Sequence, residues 1–295
     1  MADTSFSIIT FNAALLRMGF RRRAFFEPVP HVEERLAGLC RLLPGLDGDV
    51  VMLQEVFGRH VQRLVFQHAR QSFPYACLDD RRSLLGSGLM ILSRHPTAQT
   101  LRLSFRSSPV FARPIVSFGA VRTHVQLPGH VPVMVLNTHL TAGLMHHPES
   151  AKTNSRRSLQ IDEVQEFAHR APNAGGLAII AGDFNAGPQA SRVNYEQVVA
   201  AGFEDALSSA STRPAEPAVT WSPTNPLSSS GPHADSPPQR VDHVFYASNG
   251  QTVSVDEAEI LFDDGTVSVA TGERLPLSDH YGLRVRFTLG KSAAG

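Results

Sequence analysis

The chain has 295 residues, 42% of them hydrophobic, enough for one large domain or two ordinary ones around a substantial core, which argues against a disordered chain or a disulfide-stapled miniprotein. Its 27 Lys+Arg balance 27 Asp+Glu, so no net field recruits polyanions, and Cys40 and Cys77 are too few for a disulfide framework or a thiolate metal site. The segment Met1 to Phe6 lacks the basic and apolar pattern of a signal peptide, and no apolar run approaches the ~18 residues of a membrane span, so a monomer that is cytoplasmic or peripheral to a membrane is expected.

In chain order, periodicity predicts a strand over Phe6 to Phe11. An amphipathic helix follows the Pro28 to Pro30 turn, with Val32, Leu36, Leu39 and Leu43 at helical spacing. Further strands are expected at Val50 to Leu53, Gly88 to Leu92, Ile115 to Leu127, Val131 to Leu136, Ala178 to Ile180, Val241 to Tyr246 and Tyr281 to Thr288. A second helix, about Ser155 to Arg170, is expected to present Leu159, Ile161, Val164, Phe167 and Ala168 inward. Strands that neighbour one another in sequence suggest hairpins and mixed sheets. Between Ser208 and Arg240 the prolines Pro214, Pro217, Pro223, Pro226, Pro232, Pro237 and Pro238 exclude a helix and discourage a central strand. The expectation is a long surface loop inside a single domain spanning 1–295, because functional-looking polar residues lie on both sides of it.

Those polar residues interrupt or end the apolar strands, where a buried carboxylate or amide is costly without a compensating partner. Asn12 closes the first strand, Gln54-Glu55 the next, and His139 follows Val133 to Leu136. Asp183 and Asn185 follow Ile179-Ile180; Asp242 lies within Arg240 to Phe245, and Asp279-His280 within Leu277 to Gly282. Singly, each is more easily a turn former than a ligand. Together, the hard oxygen ligands and two imidazoles suit Mg²⁺-assisted attack on phosphorus and argue against zinc.

The ordered set of Asn12, Gln54-Glu55, Thr138-His139, Gly182-Asp183-Phe184-Asn185, Val241-Asp242 and Ser278-Asp279-His280 resembles the endonuclease/exonuclease/phosphatase superfamily, over nearly the whole chain. The resemblance implies the deoxyribonuclease I-like fold, an α+β, four-layer α/β/β/α sandwich of two mixed sheets with the site where strand ends of both sheets meet. Three stretches resemble the neutral sphingomyelinase branch: Leu85 to Pro96, Thr220-Trp221-Ser222-Pro223-Thr224-Asn225, and Pro276 to His280. The implied activity is metal-dependent hydrolysis of a phospholipid at a membrane surface, sphingomyelin giving ceramide and phosphocholine. Nucleic acid or another phosphoester is the alternative substrate.

By the same resemblance Mg²⁺, with Mn²⁺ as the alternative, would be held by Glu55, with Asn12 helping to orient metal or phosphate and Asp279 either binding a second cation or bracing His280. His280, oriented by Asp242, would take a proton from the attacking water. Asp183 would position that water, and His139 and Asn185 would contact the phosphate. The sequence does not separate base from phosphate ligand among Asp183, His139 and His280. Beyond this set, Arg17, Arg21, Arg22 and Arg23 interleave with Phe20, Phe25 and Phe26, either as a rim that meets lipid headgroups or, the favoured reading, as a solvated loop with its Phe side chains tucked into the core. Arg156 and Arg157 are expected either to meet phosphate or acidic groups or to be exposed, His146-His147 to be solvated, and Trp221 to anchor the long loop.

Overall fold

Strand β1 (Thr4–Asn12) shows how the layers arise. Phe6 and Ile8 point one way and Ile9 and Phe11 the other, yet all four are buried, so the strand must be covered on both faces. The computed structural model, which describes residues 4–20, 23–78, 83–108, 114–130, 132–142, 150–170, 176–229 and 234–290, supplies both covers. After β1 come β2 (Met18–Phe20), β3 (Arg23–Phe26), α1 (Val32–Leu42), β4 (Val50–Gln54), α2 (Arg59–Ala69), β5 (Tyr75–Cys77), β6 (Met90–Ser93), β7 (Thr97–Ser104), β8 (Gly119–Val125) and β9 (Val133–His139). The chain continues through α3 (Ala151–His169), β10 (Leu177–Asp183), α4 (Arg192–Ala200), β11 (Glu204–Asp205), α5 (Ala206–Ser209), β12 (Asp242–Ser248), β13 (Val253–Leu261), β14 (Val267–Ser268), β15 (Arg274–Leu275) and β16 (Gly282–Leu289).

Two six-stranded sheets result, ordered β13-β16-β1-β4-β6-β5 and β11-β12-β10-β9-β8-β7. Each is mixed, with a parallel pair at its centre, β1 beside β4 and β9 beside β10. Ile8, Met52, Ile91 and Phe287 of the first sheet share one core with Val121, Val135, Ile179 and Val244 of the second. On the outer face of the first sheet, Val32 and Leu39 of α1 and Val65 of α2 cover Ile9, Phe11 and Leu53. On the outer face of the second, Ile161 and Val164 of α3 and Val198 of α4 cover Leu136, Ile180 and Phe245. Each such apolar side chain contributes about 1.5–3 kcal/mol on burial, so these facing rows dominate the cohesion of the four α/β/β/α layers.

Several local expectations change. Helices α2 and α4 and the edge strands β7 and β13 are additional, β8 begins only at Gly119 and β9 only at Val133. Leu159 is 56% exposed, because a position two residues before Ile161 lies on the opposite side of a helix. Arg157 is not exposed. It is buried, donating from Nε to Thr141 O (2.8 Å) and from Nη1 to Ser191 Oγ (2.6 Å), which ties α3 to the segments after β9 and before α4. Phe25 is 71% exposed rather than tucked into the core, since among the described residues β2 and β3 form a two-stranded sheet of their own, apart from the two large ones. Arg21-Arg22, the side chains of Phe20 and Arg23, His146-His147 and residues 230–233 lie outside the described residues. Among the described residues no helix is long and apolar enough to cross a membrane.

Candidate active site

Parallel strands that stop together present their final residues side by side. Asn12 at the end of β1 registers with Gln54 at the end of β4, and His139 at the end of β9 registers with Asp183 at the end of β10. The antiparallel β12 begins there, with Asp242 opposite Asp183. Gly182 makes the β9 and β10 ends possible: its φ is +143°, and a Cβ there would stand 1.9 Å from Thr138 O. Glu55 and Asn185 then leave their strands in the left-handed region, with φ of 56° and 48°. Such geometry costs about 1–3 kcal/mol in a residue other than glycine and persists only where surrounding bonds enforce it. Leu15 N–H to Glu55 O (3.1 Å) and Asn185 N–H to Asp183 Oδ1 (2.8 Å) are two of those bonds.

Asp183 is the centre of the arrangement. Its Oδ2 accepts from Asn12 Nδ2 at 3.0 Å and lies 3.4 Å from His139 Nε2 and 3.9 Å from His280 Nε2. Asn12 Nδ2 also donates to Glu55 Oε1 at 3.1 Å, which links the first sheet to the second through one amide. On the far side of the His280 ring, Nδ1 pairs with Asp242 Oδ2 at 2.9 Å. Asn185 donates from Nδ2 to Leu140 O at 3.1 Å, which fixes its position beside Asp183.

The charges fall into two groups. Asp242 and His280 are both buried; burial and then Asp183 push the Asp242 carboxyl up, to about 6, while His280 acts to hold it down. Burial alone would lower His280, but the Asp242 charge and hydrogen bond, followed by Asp183 and Asp279, outweigh it and hold the imidazole well above its ordinary value. Nδ1 therefore carries the hydrogen shared with Asp242, and the same carboxylate strengthens Nε2 as a proton acceptor. Glu55 is half-buried, and desolvation and the Asp279 charge raise its carboxyl, against His139, Asn12 and His280.

The half-buried carboxylates Glu55 and Asp279 thus repel one another, two hard oxygen donors that suit Mg²⁺ or Mn²⁺, while the Asn12 amide turns its nitrogen to Glu55 and its oxygen to the Ala14 N–H. One atom each of Asp183, Asp242 and His280 also lies within 4.8 Å of the others, a spacing that could hold an ion. There, however, the Nδ1 to Oδ2 contact of 2.9 Å is already a hydrogen bond, so those three fit proton sharing better than metal ligation.

Every residue singled out in the sequence as a site residue lies along this one seam, and three supports had gone unseen. Asn137, two residues before His139, accepts from Gln54 Nε2 at 2.7 Å and donates to Leu53 O and Met90 O at 2.9 and 3.0 Å, a buried amide bridge between the sheets. The Pro-rich loop returns to the site. Thr220 Oγ1 accepts from Asp242 N (3.1 Å), Trp221 forms a backbone bridge with His280, and Asn225 Nδ2 donates to Ser278 O (2.9 Å). Arg35 of α1 is fully buried beneath Asn12 and Leu277. Its signal was present, for position 35 falls on the stripe of Val32 and Leu39, where a charge is unexpected.

Two mixed sheets thus bring a histidine–aspartate pair and a cluster of carboxylates together at their strand ends. The chain belongs to the Endonuclease/Exonuclease/phosphatase family, whose model matches residues 9–280. It is similar to a putative neutral sphingomyelinase of Drosophila melanogaster, 26% identical over 275 residues, which cover 89% of this chain and 59% of that protein. The chain thus spans less than two thirds of that relative's length. Among solved structures, beta toxin from Staphylococcus aureus with bound magnesium ions matches with a TM-score of 0.74 at 18% identity, covering 96% of this chain and 99% of that one. D. rerio TDP2 complexed with single strand DNA product matches with a TM-score of 0.69 at 20% identity, covering 97% and 99%. At these identities the two solved structures share the fold with this chain and nothing narrower.

Proposed function

We propose that residues 1–295 act as one catalytic domain, a divalent-cation-dependent phosphodiesterase that hydrolyses sphingomyelin to ceramide and phosphocholine, as a neutral sphingomyelinase-like phospholipase C. The observation that carries the hydrolase reading is the unbroken chain of contacts Glu55, Asn12, Asp183, His280, Asp242, which sets a metal-type carboxylate and an activated imidazole on either side of one buried aspartate. The sphingolipid reading is supported by the sphingomyelinase relative, whose name says what that protein is held to cleave. Phe25 and Phe26, 71% and 45% exposed shortly after Asn12, add an apolar edge suited to a lipid surface.

Glu55 and Asp279, with Asn12, would hold Mg²⁺ or Mn²⁺, which when bound supplies neutralisation of a phosphoryl oxygen and of leaving-group charge. His280 Nε2 takes a proton from the attacking water as the new P–O bond forms and the bond to the ceramide oxygen breaks, that oxygen taking up a proton from solvent. Asp242 keeps Nδ1 protonated and the ring oriented, and stabilises the imidazolium that results. Asp183 accepts a hydrogen bond from that water, while His139 and Asn185 donate to phosphate oxygens.

The test is release of phosphocholine, nucleotides or inorganic phosphate from sphingomyelin micelles, lysophospholipid, single-stranded DNA and phosphoinositides, with Mg²⁺, Mn²⁺ or chelator and with His280→Ala as blank. Metal-dependent phosphocholine release is expected. Cleavage of DNA alone replaces the lipid with nucleic acid, and no turnover above the blank on any phosphoester removes the enzyme reading.

A further inference from the structure

A guanidinium enclosed in a core is costly unless every N–H finds an acceptor. Arg35 is 0% exposed, and all five of its N–H groups are used on backbone carbonyls. Nε donates to Pro30 O (2.9 Å), Nη1 to Ala13 O (2.9 Å) and Leu277 O (3.1 Å), and Nη2 to Ala14 O (2.7 Å) and Val29 O (3.0 Å). Three of these acceptors, Ala13, Ala14 and Leu277, belong to the segments that carry the metal-side ligands, and the other two lie in the turn before α1. Ala13 and Ala14 directly follow Asn12, and the same turn runs beside Glu55: Ala13 N–H donates to Gln54 O and Leu15 N–H to Glu55 O, both at 3.1 Å. Leu277 opens the Ser278-Asp279-His280 turn. Ala14 has a left-handed φ of 47°, a strained conformation that the Nη2 bond helps to hold. No acceptor is a carboxylate, so the charge is not consumed in a contact pair. Asp279 and Glu55 are the two carboxylates that act on it most strongly.

We propose, on the reading that Glu55 and Asp279 hold the divalent cation, that Arg35 is the positioning residue of that centre. Its planar fork fixes the Asn12–Glu55 turn and the Asp279 turn at one separation, and its charge, from behind, offsets the repulsion between the two carboxylates. The fork explains the choice of residue. A lysine offers three donors from a single nitrogen and cannot reach five carbonyls spread over three segments.

The experiment uses the full chain and Mn²⁺ as probe, with free Mn²⁺ read by electron paramagnetic resonance, for the wild type, Arg35→Lys, and Ile161→Val as a control for general destabilisation in the distant α3 layer. Arg35→Lys is expected to weaken Mn²⁺ binding ~10-fold or more, as loss of a group that orients metal ligands does, while Ile161→Val binds as the wild type does. Turnover of Arg35→Lys should fall through kcat, with KM for the lipid unchanged and the rate partly recovered at high Mn²⁺. Wild-type affinity in Arg35→Lys overturns the role of Arg35. A wild type that binds no Mn²⁺ instead overturns the metal reading on which the proposal rests, and the wild-type trace alone shows which has failed. Should Arg35→Lys not accumulate as folded protein, Arg35→Met is compared with Arg35→Met/Asp279→Asn: loss of the charge leaves the carboxylate pair unbalanced, and Asp279→Asn is expected to restore a cooperative melt in chelator. Failure of that restoration also overturns the proposal.

Discussion

The two sides of the seam use the same residue types for different ends. On the first-sheet side, Glu55 and Asp279 are half-buried, the Asp279 charge pushes the Glu55 carboxyl up, and Arg35 lies behind them. On the second-sheet side, Asp183 and Asp242 are buried, and both lie against imidazoles, with His280 reaching across from the turn before β16. Exposure and partner, more than residue identity, decide what a carboxylate does. A solvent-reached pair without a contacting cation is suited to capture one, whereas an enclosed carboxylate on a histidine tunes a proton. Asn12 joins the two through a single amide nitrogen.

The strongest way to break this contrast is to remove one carboxylate from each side. Glu55→Ala is expected to lower kcat/KM on the order of 10³-fold or more, because it removes stabilisation of transition-state charge. It should also abolish the rise in melting temperature on adding Mg²⁺ while leaving the melt in chelator at least as high, since a repelling, desolvated charge has gone. Asp242→Asn is expected to cost roughly 10²–10⁴-fold, the range of a general base that has lost its orienting partner, with Mn²⁺ affinity retained. If Asp242→Asn loses the metal and Glu55→Ala keeps it, the two sides have been assigned the wrong way round.

Much of this contrast was legible before any coordinates, and the reason is physical. Asn12, Glu55, His139, Asp183 and Asp242 each follow or begin an apolar run that had to be buried, so a polar residue there stands out against its background. The same logic fails where burial is partial. Strands β7 and β13 sit on sheet edges and are largely half-exposed, so their sequences lack apolar runs and escape notice. Helix α2 buries only Gln62, Val65 and Ala69, a stripe too narrow to declare itself beside polar neighbours. Arg35 drew no notice and the burial of Arg157 was not foreseen, because an arginine is ordinarily found at the surface and the backbone acceptors of these two come largely from segments distant in sequence.

The second-sheet side should also be the acid-sensitive one. His243, next to Asp242 on β12, is fully buried and donates from Nε2 to Ala186 O at 2.8 Å, and burial and then Arg240 lower its pKa to about 4. In the unfolded chain a histidine takes up its proton near 6.5, so between these values the unfolded state binds more protons and stability falls as pH falls. The full loss, complete near pH 4, amounts to about 3 kcal/mol. The contribution is absent above the unfolded value, so no dependence from this group is expected at neutral pH. His243→Phe, packed among Phe184, Tyr195 and Phe245, should flatten the melting temperature between pH 6.5 and 4. An unchanged slope would move the acid sensitivity to another group.

The finest test concerns how firmly the two sides are held in register. Gln54 Nε2 donates to Asn137 Oδ1 at 2.7 Å, one residue before Glu55 and two before His139, so this bridge joins the sheets next to the catalytic seam. The amides also serve their own neighbours, with Asn137 Nδ2 bonded to Leu53 O and Met90 O and Gln54 Nε2 to Thr10 Oγ1 and Met52 O. Single replacements, Gln54→Leu or Asn137→Leu, strand those buried groups and should cost about 1–3 kcal/mol each in stability. The double mutant removes both amides together, so its cost should fall short of the sum by a coupling of about 0.5–1.5 kcal/mol, read from denaturant midpoints. If the bridge sets the spacing of Glu55 from Asp183, the double mutant will recover stability without recovering kcat, because a leucine pair fills the space and fixes no distance. Recovery of both would mean that Asn12 alone keeps the two sides aligned.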